Sequence, residues 1–350
     1  MINRNRRLTT NILLLLLNIF FCLNNVSAQK ILKYTDHESA DEMRTKFLKD
    51  VLFPAIEKES NGRLKIEAHW NGELSTSYEA LNTVSSGKIA DITTVVPEYS
   101  AKELPLHQIF KSFLVGPSGK KQVSLFRKIY SDVPQFSSEL LKNNLVDIFL
   151  STGYGVGFFS RDSFKTLNDL KGTKWRTASF WHRDFLNNYG VHPLTIPWGV
   201  EAYKALEERT LDGIMVNIDG GYNLKVYEQA PYLLASKKLC LGHLYLVVMN
   251  KETWNNLVKE DQLAIQRGAE IAYKSLGKVM DKSFKIQMQK LKREGVKYRI
   301  LSDKELKDFE VATKFHEVQE RWTNEQKAKG IPNADIVLKN VTTILNDKVK

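Results

Sequence analysis

Residues 257–295, LVKEDQLAIQRGAEIAYKSLGKVMDKSFKIQMQKLKREG, contain no proline and read as helix throughout. The stretch predicts one continuous helix over 258–294, longer than an ordinary globular helix. A helix of that length needs two surfaces to lie across. It therefore belongs to two domains at once, and the rest of the chain must supply them.

Upstream, strands and helices alternate. ILKYTDH (residues 31–37) reads as a strand and SADEMRTKFLKDVLFPAIEKES as an amphipathic helix, with Ser39 as its expected N-cap and a kink at Pro54. Asn61–Gly62 turns the chain into RLKIEAHW, which alternates like a half-buried strand. SYEALNTVSSG predicts a further helix, and KIADITTVV a strand covered on both faces. Short links between such elements mean parallel βαβ units in an α/β domain.

The centre repeats the theme. NLVDIFLSTG and GVGFFSR read as strands around a tight chain crossing at residues 153–157. TKWRTA, HPLTIP and LDGIMVN follow as strands, with helices at WHRDFLNNYG and GVEAYKALEER between them. KKLCLGHLYLVVMN, Lys237 to Asn250, is long and apolar for one strand and suits a segment passing from one domain to the other. Within TKWRTA, Trp175 and Arg176 are consecutive and must face opposite sides of the pleat. If the indole packs inward, the guanidinium faces the other way, toward an anion.

The first 28 residues carry a processing signal. Arg4, Arg6 and Arg7 precede the apolar run NILLLLLNIFF, and VSA supplies small residues for cleavage after Ala28. The run is too short for a stable span, and Phe20 and Phe21 are too bulky for a lipobox at Cys22. An exported, periplasmic protein without a permanent membrane anchor is expected. Losing the three arginines lowers the formal charge from +11 to +8 and leaves one cysteine, Cys240, so stability must come from burial rather than a disulfide. The basic excess is interleaved with acids, which argues for solvated helix faces and against nucleic-acid binding.

Enzyme signatures are poor. The seven histidines show no metal spacing; HEVQE at His316 places Glu320 where a second histidine would stand. There is no GxSxG elbow, and Cys240, in an apolar strand, reads as an inert core thiol. GYGVGFF has a GxG, but an apolar run follows it where a phosphate loop needs a helix. No cofactor, metal or catalytic residue is expected. Two arginines remain: Arg161 at the end of GVGFFSR, and Arg176. A guanidinium at the C-terminal end of a strand faces the crevice where open α/β sheets bind ligands, and its planar fork matches a carboxylate. Tyr154, Phe158, Phe180, Trp181 and Trp198 gather near the same elements, and some should line a cavity between domains.

LNDLKGTKWRTAS together with GVHPLTIPWGVEAYKALEERTLDGIMVN resembles the central signature of solute-binding proteins of tripartite ATP-independent periplasmic (TRAP) transporters, the DctP-like family. Lys171–Gly172, Lys174 and Arg176, then Gly190 to Pro193, then Glu201, Tyr203, Ala205 and Leu206, then Leu211 to Gly213 follow the family's order over nearly fifty residues. EKESNGRLKIEAHWNGEL, SSGKIADITTV and LYLVVMNKETWNNL are also family-like. The resemblance implies an α/β, two-domain periplasmic binding protein fold with crossing hinge strands and a long helix spanning both domains. The first domain would comprise residues 29–153 plus about 246–280, the second 154–245 plus about 295–350.

The resemblance also implies capture of a small carboxylate solute in an interdomain cleft and its delivery to TRAP-type membrane permease subunits, by a monomer or weak dimer. Arg176 inherits the carboxylate clamp and Arg161 a second arginine used by some members. Val216 and Asn217 depart from the residues that follow the DG in many members. Asn217 and Asp219 are expected at the pocket, where an acid suits a ligand with hydroxyl or amino groups or else caps the next helix. Trp198, Phe180, Tyr154, Trp70 with Asn71, and His37 in the first loop complete the expected lining. The same fold could instead serve a sensor or another transporter class, and an exported enzyme is the remaining alternative.

Overall fold

The computed structural model describes residues 29–196, 198–331 and 333–349; the expected processing signal lies outside them. Two mixed sheets organise the chain. The first contains β1 (Lys30–Thr35), β2 (Leu64–His69), β3 (Ile92–Val95), β4 (Leu145–Gly153) and β10 (His243–Asn250), in the order β2-β1-β3-β10-β4. The second contains β5 (Val156–Ser160), β6 (Lys174–Thr177), β7 (His192–Thr195), β8 (Gly213–Asn217), β9 (Tyr232–Ala235) and β11 (Lys297–Ile300), in the order β11-β9-β5-β8-β6-β7.

Each sheet is mixed, and one strand in each runs against both its neighbours: β10 against β3 and β4, β5 against β8 and β9. The chain crosses between sheets at Tyr154–Gly155 and again between Ala235 and His243. The two crossings touch. A Cβ on Gly155 would lie 2.5 Å from the Leu239 carbonyl oxygen, so only glycine lets the backbones pass this closely.

Lys237–Asn250 is not one strand. Cys240, Leu241 and Gly242 all have left-handed φ, of 60°, 51° and 74°, and β10 starts only at His243. The buried Cys240 therefore sits in a turn rather than a strand, and burial pushes its thiol up to about 12, an inert core thiol as expected. The first helix also differs from expectation. It begins at Met43 with Glu42 at the N-cap position, so Ser39 does not cap it. A π-helical turn, Leu48–Leu52, precedes Phe53–Glu59; the widened turn brings Pro54 in near the start of a fresh α-helical run, where its missing N–H is tolerated.

The long helix is present as Lys259–Arg293, 35 residues and about 50 Å at 1.5 Å per residue. Its first half buries Ile265, Ala269, Ala272 and Leu276 with Leu32, Leu64 and Val247 of the first sheet. Its second half buries Met280, Phe284, Met288 and Leu291 with Ile214, Val216 and Leu233 of the second. Gly277 lets it cross the helix Gly119–Asp132, where a Cβ would meet the Lys120 backbone nitrogen at 2.5 Å. The last helix, Ala334–Val349, returns to that same helix, packing Val337 and Val341 into the core that holds Phe126 and Ile129.

Candidate functional site

Between the sheets lies a cavity of about 60 Å³. The C-terminal ends of parallel strands point their following residues into it: His37 and Glu38 after β1, Val96, Glu98 and Tyr99 after β3, Arg176, Ala178 and Ser179 at and after β6, Met215 to Asn217 on β8. The antiparallel strands contribute their N-terminal ends, Val156 of β5 and His243 and Tyr245 of β10. Glu42, His182, Trp198 and Gly220 complete the wall.

β6 fixes the polarity of the site. Trp175 packs into the core of its sheet, edge-on to Phe158 at 5.5 Å, and donates through Nε1 to Thr173 Oγ1 at 2.7 Å. Arg176 therefore faces the cavity. It is only 2 % exposed, its Nε donates to the Ile196 carbonyl at 2.9 Å, and its guanidinium lies over the Trp198 ring, 5.2 Å from the centroid. Among the described residues no carboxylate oxygen comes within 4 Å of it. Burial pushes its pKa down, and only the Tyr99 and Tyr78 hydroxyls work against that.

Nearby acid is already used. Lys111 Nζ holds Glu98 Oε1 at 2.8 Å and donates to His243 Nδ1 at 2.7 Å. That bond leaves the imidazole proton on Nε2, which has no partner among the described residues. His182 is buried, with Nε2 likewise unpartnered; burial, Lys111 and Arg176 push its pKa down to about 3. His243 is held well below its ordinary value by burial and Lys111. Both rings are neutral, so this wall offers one full positive charge and two neutral imidazoles.

The loop after β1 is acidic. Arg44 clamps Asp36 with two bonds of 2.6 and 2.9 Å and also donates to Glu38. Burial alone would raise Asp36; the charge and hydrogen bonds of Arg44 more than reverse this and hold its carboxyl at about 2. The Trp70–Gly72 turn braces the loop, Asn71 N donating to Glu38 O at 3.0 Å and Gly72 N to Asp36 O at 2.9 Å.

The family model for bacterial extracellular solute-binding protein, family 7 (DctP) matches residues 36–321. The chain belongs to the DctP family. The C4-dicarboxylate-binding protein DctB of Bacillus subtilis is 23 % identical, over 73 % of this chain and 72 % of DctB. The ectoine/5-hydroxyectoine-binding periplasmic protein UehA of Ruegeria pomeroyi is also 23 % identical, over 62 % of this chain and 63 % of UehA. A TRAP solute-binding protein from Rhodoferax ferrireducens, solved with copurified benzoate, superposes with a TM-score of 0.78 at 19 % identity, covering 92 % of this chain and 99 % of that one. The two-domain α/β fold with a long helix is thus that of the TRAP solute-binding proteins, and DctP members are solute-binding proteins rather than enzymes.

Of the residues expected at a DctP pocket, the cavity brings together Arg176, Trp198, Asn217 and His37. Asp219 lies one layer behind, 8 % exposed, its Oδ1 accepting from Asn217 Nδ2 at 2.6 Å and Gly220 N at 3.0 Å. Four expected residues are not in this lining. Arg161 follows the far end of β5, roughly 17 Å along the strand from Val156, and donates to the Leu206 carbonyl in the last turn of the helix Val200–Glu207. Tyr154 points away to the long helix, bonding Ser283 and lying edge-on to Phe284. Phe180 stacks on Trp181 and faces an outer groove beside Trp322. Trp70 packs on Tyr34 and Phe53.

Glu42, Tyr99, His182, His243 and Tyr245 are further lining residues that no sequence motif marks. His243 and Tyr245 stand two apart on one strand, and that shared face is a readable signal once β10 is known to start at His243.

Proposed function

We propose that this protein captures a small carboxylate-bearing solute between its two sheets and delivers it to TRAP-type permease subunits in the membrane. The carrying observation is Arg176: a buried guanidinium at a cavity wall with no carboxylate within 4 Å among the described residues. A buried, unpaired charge is unfavourable, and an incoming acid relieves it with charge-assisted bonds of roughly 1.5–3 kcal/mol each. The His243 Nε2–H and the neutral His182 are placed to take the remaining lone pairs or hydroxyls of such a guest.

Support comes also from the DctP relatives, whose names cite C4-dicarboxylates and ectoine, and from the benzoate in the Rhodoferax ferrireducens protein. These solutes differ in charge, but each carries a carboxylate. We place the protein in the periplasm after cleavage following Ala28, as a monomer or weak dimer, with residues 29–153 and about 246–280 moving as one body against the remainder when the cleft opens.

Native mass spectrometry of freshly purified protein, followed by denaturation, tests the reading. The expected result is release of a small organic acid that is absent from Arg176→Ala protein purified in parallel; equal occupancy in the variant contradicts it. A permease driven by an ion gradient and encoded beside the gene is the expected partner, and an ATP-hydrolysing one in that place argues for another transporter class.

A further inference from the structure

The cavity's surroundings hold more carboxyl groups than the neighbouring cations serve. Arg44 serves Asp36 and Glu38 together, its Nη1 also donating to Thr94 Oγ1 at 3.1 Å, so both ends of its fork are occupied. Glu42, at the helix start on the cavity wall, and Asp219, behind Asn217, have no Lys, Arg or His within 4 Å among the described residues. His37 lies 3.6 Å from Asp36 and 3.7 Å from Glu38, with its Nδ1 unpartnered. The other groups near this cluster are Tyr245, Asn217 and Asn223, and Tyr154 behind Asp219, none of them cationic.

An acidic group alone would mean little. Here it shares one cavity with a buried, acid-free Arg176 and with His182, which is 4 % exposed and unpartnered at Nε2. The fold holds opposite charges in one cavity without pairing them. Arg176, Glu38 and Glu42 all line it, so a compact guest held there meets both charges. A second carboxylate on that guest would lie against Glu38 and Glu42.

Resting on the reading of the cleft as a carboxylate site, we propose that the solute is a compact zwitterion, its carboxylate on Arg176 and a cationic nitrogen against Glu38 and Glu42. Burial and the nearby Glu38 and Asp219 push Glu42 up to about 9, and burial and Glu38 raise Asp219 to about 6. The empty cluster therefore keeps a proton on Glu42 at neutral pH. A cationic nitrogen takes over that proton's role: the Glu42 carboxyl ionises and its proton passes to the buffer. Binding is thus coupled to proton release, whereas a hydroxylated, uncharged tail leaves the proton in place.

Two pairs of near-isosteres isolate the charge: proline against cyclopentanecarboxylate, and glycine betaine against 3,3-dimethylbutanoate, with succinate as the dianion. Each is titrated calorimetrically at pH 7 into the mature protein, in phosphate and in Tris. The expected result is at least about 10-fold tighter binding of a zwitterion than of its isostere, with a buffer-dependent heat that reports proton release. Glu42→Gln should remove most of that preference and the buffer dependence, and Asp219→Asn should weaken both. Equal or tighter binding of the plain carboxylates or succinate overturns the zwitterion and leaves the carboxylate site standing. Binding of no member overturns both.

Discussion

The Arg176 guanidinium lies over the Trp198 indole, 5.2 Å from its centroid, while its Nε is tied to the Ile196 carbonyl at 2.9 Å. Ring and carbonyl hold the fork in place before any solute arrives, so little side-chain freedom is lost on binding. Trp198→Ala should weaken acid binding by roughly 1 kcal/mol through the lost cation–π contact and ordering. Calorimetry with the co-purified acid reads this directly; unchanged affinity means that Ile196 alone orients the fork.

Arg161→Ala should leave affinity within about 2-fold of wild type, because that side chain serves the carbonyl end of the helix Val200–Glu207 rather than the cavity. Its effect belongs to stability, at roughly 1.5 kcal/mol, the low end for a charge-assisted bond because the pair is half-buried. A large loss of affinity in this variant would restore Arg161 to the site.

Arg44→Ala should destabilise the fold by roughly 3–5 kcal/mol, since Asp36 would be left buried without its counter-charge. Chemical denaturation measures it. Asp36 is held at about 2 against an ordinary 3.8, so this contribution is complete above pH 4 and fades as the pH falls through 2. A variant that loses less than 1 kcal/mol would show that the pair is not sealed from water.

The solute-free protein should lose stability as the pH rises from about 6.5 to 9. Glu42 is raised to about 9 from 4.5, so over this window the folded state binds more protons than the unfolded one. The slope approaches about 1 kcal/mol per pH unit. Below pH 6.5, the buried neutral His182 and His243, whose protons the unfolded chain takes up, oppose the raised Glu42 and Asp219 and leave the profile nearly flat. Thermal unfolding from pH 5 to 9 should show this plateau and alkaline fall, and Glu42→Gln should flatten the alkaline side; a rise through pH 9 would contradict the buried state of Glu42.

Features set by backbone pattern are readable in this sequence. The proline-free run over 257–295 announces a helix for two domains, and the Trp175–Arg176 pair announces a core side and an open side of β6. Features set by chain direction are not. Arg161 closes an apolar strand much as Arg176 nearly does, yet β5 runs antiparallel to β8, so its C-terminal end lies at the edge away from the cavity. Ser39 as N-cap would put Glu42 inside the first turn; the helix begins at Met43 instead, and Glu42 lines the cleft. Asp36 and Arg44 are eight residues apart, and nothing in their spacing reveals that the pair is buried.

The most direct test of the carboxylate clamp is the affinity of the acid identified on the purified protein, measured by titration calorimetry for wild type and Arg176→Ala, with circular dichroism confirming that both are folded. Loss of one partner from a buried charge pair predicts a deficit of about 2–5 kcal/mol. Equal affinity in the two proteins would contradict the clamp.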